Sequence, residues 1–140
     1  MSKIIGLDLG TTTLGIAISD DSQKFVFGRE IFRFKANNYY AARQYVLELV
    51  NKEDIDTIVI GLPLNMDGSE GERAISTRRF ADDLLKMKKN LIIRFQDERL
   101  TSVEADERLI AQGYDNKKRK EKIDMVAAMV ILETYLKARK

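Results

Sequence analysis

The chain has 140 residues, 44% hydrophobic and 33% charged, with a formal net charge of +2, which is the composition of one ordinary globular domain spanning the whole sequence. It contains neither cysteine nor histidine, so disulfides, thiolate metal sites, histidine bases and most zinc chemistry are excluded. No apolar run approaches the roughly 20 residues of a membrane span, and the N-terminus enters a strand pattern without a signal-peptide core. With no cysteine, this fits a cytoplasmic protein.

The opening stretch, KIIGLDLGTTTLGIAISD, holds two short apolar runs split by Gly10-Thr11-Thr12-Thr13, the pattern of a β-hairpin. Alternation puts Ile4, Gly6 and Asp8 on one face of the first strand and Ile5, Leu7 and Leu9 on the other. Residues 25–34 (FVFGREIFRF) read as a third strand, giving an antiparallel meander. Asn37-Asn38 caps a helix over 39–52, whose apolar residues recur at helical spacing. TIVIG (57–61) has the continuous apolar character of a strand buried on both faces. The loop 65–71 (NMDGSEG) is the best candidate for a mobile segment.

Ser69 and Glu72 have the spacing of a capping box opening a helix to about residue 88. LIIRF (91–95) reads as a fifth strand, and Thr101 and Glu104 form a second capping box for a helix that Gly113 stops. After residues 114–122 a last helix runs to about 136, with Asp124 in its first turn. The order implies an α/β fold: a five-stranded mixed sheet, three antiparallel strands then parallel ones, flanked by helices.

Three acids fall where such a fold brings chain segments together. Asp8 is near the end of the first strand and Glu98 just past the fifth. Asp124 shares a helix face with Ala127, Ala128 and Ile131. Asp97 competes with Glu98, because strand ends shift register easily. Clustered carboxylates repel and raise one another's pKa, so they call for a cation. All-oxygen ligation selects Mg²⁺ or Mn²⁺, and two such ions about 3.5–4 Å apart can run phosphodiester hydrolysis without His or Cys. The alternative for each acid is structural: turn formation at the strand end for Asp8, helix capping for Asp124, and pairing with Arg94 or Arg99 for Glu98.

Residues 114–140 carry eight Lys/Arg against four Asp/Glu, and Lys117, Lys118, Arg119 and Lys120 lie just ahead of Asp124. Such a run can grip nucleic-acid phosphates. Arg73, Arg78 and Arg79 follow the glycine-containing loop and could close over a bound strand. Tyr39, Tyr40 and Tyr114 could stack on unpaired bases, although packing explains them as well.

The stretches GLDLGTTTLGIAISD (6–20), GLPLNMDGSEG (61–71), DERLTS (97–102) and KIDMVAAMVILETYL (122–136) together resemble the YqgF/RuvX family across essentially the whole chain. These are Holliday-junction-resolvase-like nucleases of the ribonuclease H fold, associated with maturation of pre-16S ribosomal RNA. The resemblance implies a metal-dependent phosphodiesterase in which Asp8 bridges two Mg²⁺ or Mn²⁺ ions and Glu98 and Asp124 complete their shells. It implies structured RNA as the substrate, with branched DNA second. A two-fold homodimer would suit junctions and a monomer RNA ends. Two alternatives stand beside it: a non-catalytic nucleic-acid-binding module, and a nucleotide-binding domain, since Asp8-x-Gly10-Thr11-Thr12 also resembles the phosphate loop of sugar kinases and actin-like ATPases, which need a second, similar domain. Family members often carry Lys and Arg where this sequence has Thr12 and Thr13.

Overall fold

The computed structural model describes residues 2–139. Its elements are β1 (Ile4–Leu9), β2 (Thr13–Ser19), β3 (Val26–Arg33), α1 (Tyr39–Glu53), β4 (Thr57–Leu62), α2 (Glu72–Met87), β5 (Ile92–Asp97), α3 (Thr101–Ala111) and α4 (Asn116–Ala138). The sheet order is β3-β2-β1-β4-β5, with β1, β4 and β5 parallel and β2 and β3 antiparallel to their neighbours. This is the mixed sheet expected from the element order.

Alternation in the central strand, β1, sorts the layers. Ile5, Leu7 and Leu9 point into the larger core with Val46 and Leu49 of α1 and Phe80 and Leu84 of α2. Ile4 points the other way, against Ala128, Ile131 and Leu132 of α4. Each fully buried aliphatic side chain of this kind contributes about 1.5–3 kcal/mol. α3 lies outside the sheet and packs Ala105 and Leu109 on Val126, Ala127 and Val130 of α4. Among the described residues, no helix is long and apolar enough to cross a membrane.

Four local expectations change. Neither capping box forms. Gly71 is the N-cap of α2, while the Ser69 hydroxyl donates to Asp67 at 2.6 Å. Leu100 is the N-cap of α3, and Thr101 is already helical and buried. The loop 65–71 is tied down rather than loose. Leu64 and Glu70 bridge as a short antiparallel pair, Asn65 N–H donates to the Ser69 carbonyl at 2.9 Å, and Arg78 grips Glu70 through two bonds of 2.7 and 2.8 Å.

Finally, α4 starts eight residues before Asp124. Asp115 caps it by accepting from Lys118 N–H at 2.9 Å, and the Lys/Arg/Glu run behind it consists of strong helix formers. Asp124 therefore sits in the third turn, and the helix-cap reading of it falls. Residues 117–120 occupy the first turn of α4, where their positive charge opposes the helix dipole.

Candidate active site

β1 and β5 are parallel but not adjacent, since β4 lies between them. Glu98 nevertheless faces Asp8, because position 61 of β4 is glycine. A Cβ there would come within 2.9 Å of Glu98 Oε2 and 2.5 Å of Ile131 Cδ1. The missing side chain is the space through which Glu98 crosses the intervening strand. Asp124 approaches from above the sheet. α4 passes so near β2 that a Cβ on Gly15 would overlap the Asp124 carbonyl oxygen. The Thr13 hydroxyl then donates to Asp124 Oδ2 at 2.8 Å and sets the carboxylate's direction.

These groups line an open pocket of about 390 Å³ that contains Asp8, Glu98, Asp124 and Arg73. Burial pushes Asp8 up to about 6, and the Asp124 charge adds to the effect. Glu98 is pushed up to about 9, first by burial and then by the negative charge of Asp8. At neutral pH Glu98 thus keeps its proton and donates it in a hydrogen bond to Asp8. Arg73 pulls both acids down in part, while its guanidinium donates to the Leu9 carbonyl at 2.7 Å. Asp97 has turned outward. Arg99 clamps it with bonds of 2.6 and 2.8 Å and holds its carboxyl below the usual range. The pairing of Glu98 with Arg94 or Arg99 does not occur among the described residues.

Asp8, Glu98 and Asp124 offer only carboxylate oxygens, the donor chemistry suited to a hard divalent cation. Burial and mutual repulsion disfavour ionising Asp8 and Glu98 together, a cost that a bound cation would offset. In this conformation no three acids of the described residues are grouped in ligating geometry. Glu98 bonds to Asp8, while one oxygen of Asp124, Oδ2, accepts from Thr13.

Lys117, Lys118 and Lys120 are exposed on the first turn of α4, and Lys120 is one helical turn ahead of Asp124. Arg119 differs. It is half-buried, bonded to Asp106 at 2.9 Å, to the Tyr114 carbonyl at 3.0 Å and to Asn116, and so joins α4 to α3. Tyr39 packs on Phe34 and Phe80, and Tyr40 and Tyr114 carry Arg43 and Lys122 over their rings. Sequence reasoning missed Thr13, Gly15 and Gly61. A glycine inside each of the apolar runs TLGIAIS and TIVIGL was the signal available for a close approach.

The sheet order, with α4 packed across one face, is that of a ribonuclease H-like fold of the resolvase type. Thermus thermophilus RuvC bound to a Holliday junction superimposes with a TM-score of 0.64 at 14% identity, covering 99% of this chain and 96% of that one. The fowlpox virus resolvase gives 0.59 at 12% identity, covering 98% of each. A family model, RuvX, described as Holliday junction resolvase, matches residues 2–138. A protein of Geobacillus sp. (strain WCH70) is 39% identical over 98% of this chain and 99% of its own. One of Levilactobacillus brevis is 41% identical over 96% and 92%. Both are named "Putative pre-16S rRNA nuclease". The chain belongs to the RuvX family.

Proposed function

We propose that this protein is a hydrolase, a divalent-metal-dependent nuclease that cuts phosphodiester bonds in the precursor of 16S ribosomal RNA in the cytoplasm. The observation that carries the reading is the meeting of Asp8, Glu98 and Asp124 in one pocket, with Gly61 leaving the space through which Glu98 reaches it. The names of relatives matching nearly the whole chain supply the substrate.

Asp8, Glu98 and Asp124 would hold the ions. One or two Mg²⁺ or Mn²⁺ supply water activation and charge neutralisation at phosphorus when bound. Asp8, which faces both other acids, would be the central ligand. Release of the Glu98 proton would complete the anionic set, so rising pH would favour loading. Thr13 keeps Asp124 aimed at the pocket. Arg73 holds positive charge beside Asp8 and Glu98, while Lys117, Lys118 and Lys120 lead phosphates toward it.

Branched DNA is the second reading, favoured by the family model's description; a two-fold homodimer would fit it. One gel decides. Precursor RNA fragments and a four-way junction are each incubated with Mg²⁺ or Mn²⁺ and with wild type or Asp8→Asn. The expected result is metal-dependent cutting of the RNA, lost by at least about a hundredfold in the variant, with nucleic-acid binding kept within a few-fold. Cutting of the junction alone selects the second reading. Tight binding with both substrates intact overturns the nuclease and leaves a binding module.

A further inference from the structure

Two large apolar side chains stand in solvent at the mouth of the acid pocket. Met66, on the 65–71 loop, is 67% exposed and Leu100 is 63% exposed. Both line the pocket that holds Asp8, Glu98 and Asp124, beside Pro63 and Leu64. Leu100 is held at φ 65°, ψ 3°, a left-handed conformation that branched L-residues avoid, and it gains no core burial there. Met66 is anchored too. Arg99, already clamped on Asp97, donates to the Met66 carbonyl at 3.1 Å, which ties the loop to the residue preceding Leu100. A strained backbone and a bridging guanidinium thus keep two apolar groups in water beside a charged cluster. The turn at Leu100 starts α3, but the two side chains gain no burial from it, whereas a ligand with an apolar face would cover them.

We infer that Met66 and Leu100 form a nucleobase subsite. The nucleotide next to the bond being cut leaves its stack and its base lies against these two side chains, while its phosphate reaches the acids. The inference rests on the nuclease reading and narrows its substrate class. The cutting point lies in an unpaired strand, such as a tail, a loop or a branch, and not in continuous duplex. Continuity with the phosphodiester site selects a base as the occupant. Bases offer flat π-faces to apolar side chains, and the pocket has the volume of a small-ligand site.

The test uses Leu100→Gly, which keeps the left-handed backbone accessible, Met66→Ser and the double variant. Short unpaired oligoribonucleotides carry 2-aminopurine, or an abasic sugar, at successive positions. Wild type should change the fluorescence at one position, and the double variant should abolish that change. Binding of the base-bearing strand should weaken by roughly ten- to a hundredfold. The ratio of kcat/KM for base-bearing over abasic strand should fall by the same factor. Wild-type fluorescence and an unchanged ratio in the double variant overturn the subsite. A fluorescence change that depends on Met66 and Leu100, with no hydrolysis of any strand, overturns the nuclease reading and leaves the subsite standing. Preference of wild type for fully paired duplex overturns the subsite as well.

Discussion

Asp8 and Glu98 each hold their proton more tightly in the folded protein than an exposed carboxylate does, because both are desolvated and face negative charge. In the metal-free protein this stabilisation is fully present below the ordinary Glu value of 4.5 and is lost as pH rises toward about 9. Wild type in EDTA should therefore melt at progressively lower temperature across that window, relative to Glu98→Gln, which has no proton to lose. At this size each kcal/mol is worth about 3–4 °C. Mg²⁺ or Mn²⁺ should raise the wild-type midpoint most at the alkaline end, where the acids are ionised. Parallel melting curves for the two proteins would refute the buried-proton account. Thr13 gives a second test at this scale. Thr13→Val removes the only hydroxyl bonded to Asp124 among the described residues and should lower kcat about tenfold or more and weaken metal binding, whereas Thr13→Ser should restore both. Equal loss in Val and Ser would make Thr13 a packing residue.

Elements bring these residues together by close approach at two glycines, and substitution there should separate stability from activity. Gly15→Ala would drive a methyl into the α4 backbone at Asp124. A helix cannot yield locally, so the cost should be about 1–3 kcal/mol or more, with loss of cleavage. Gly61→Ala meets only the ends of two side chains, Ile131 and Glu98. It should cost less stability while displacing Glu98 from Asp8. Thermal melts and cleavage assays on the pair check this ordering. A Gly61→Ala protein with full activity would show that Glu98 need not cross β4.

The whole molecule carries a net charge of only +2, yet Lys117, Lys118 and Lys120 gather on the first turn of the helix that holds Asp124. There they work against the helix dipole by about 0.3–1 kcal/mol each, a cost that bound phosphate would offset. Replacing the three by Ala should weaken nucleic-acid binding for all sequences alike. The slope of log affinity against log salt should flatten by about 0.7–0.9 for each phosphate that is no longer neutralised. Arg119→Ala should leave that slope nearly unchanged and lower the melting temperature, because Arg119 is engaged with Asp106 and Tyr114. An unchanged slope in the triple variant would make the lysines ordinary solvated surface.

How much of this was legible in sequence follows from the range of the interactions concerned. Alternation in IIGLDL and helical spacing in α1 and α4 are patterns over a few residues, so the sheet, its two faces and the three candidate acids could be read directly. Helix starts were less legible. The two capping boxes had correct spacing but lost to Asp67 holding Ser69 and to the turn that brings Glu98 inward. That Glu98 and not Asp97 faces Asp8 was only partly local: Arg99 takes Asp97 two residues away, but the path to Asp8 depends on Gly61 of a different strand. The Thr13–Asp124 bond joins residues 111 positions apart. The sequence by itself determined which residues could be strands, core and acids, because those are properties of spacing and residue type. Only the tertiary structure decided which acids face one another and which apolar side chains stay in water beside them, because both depend on contacts between distant segments that no local period encodes.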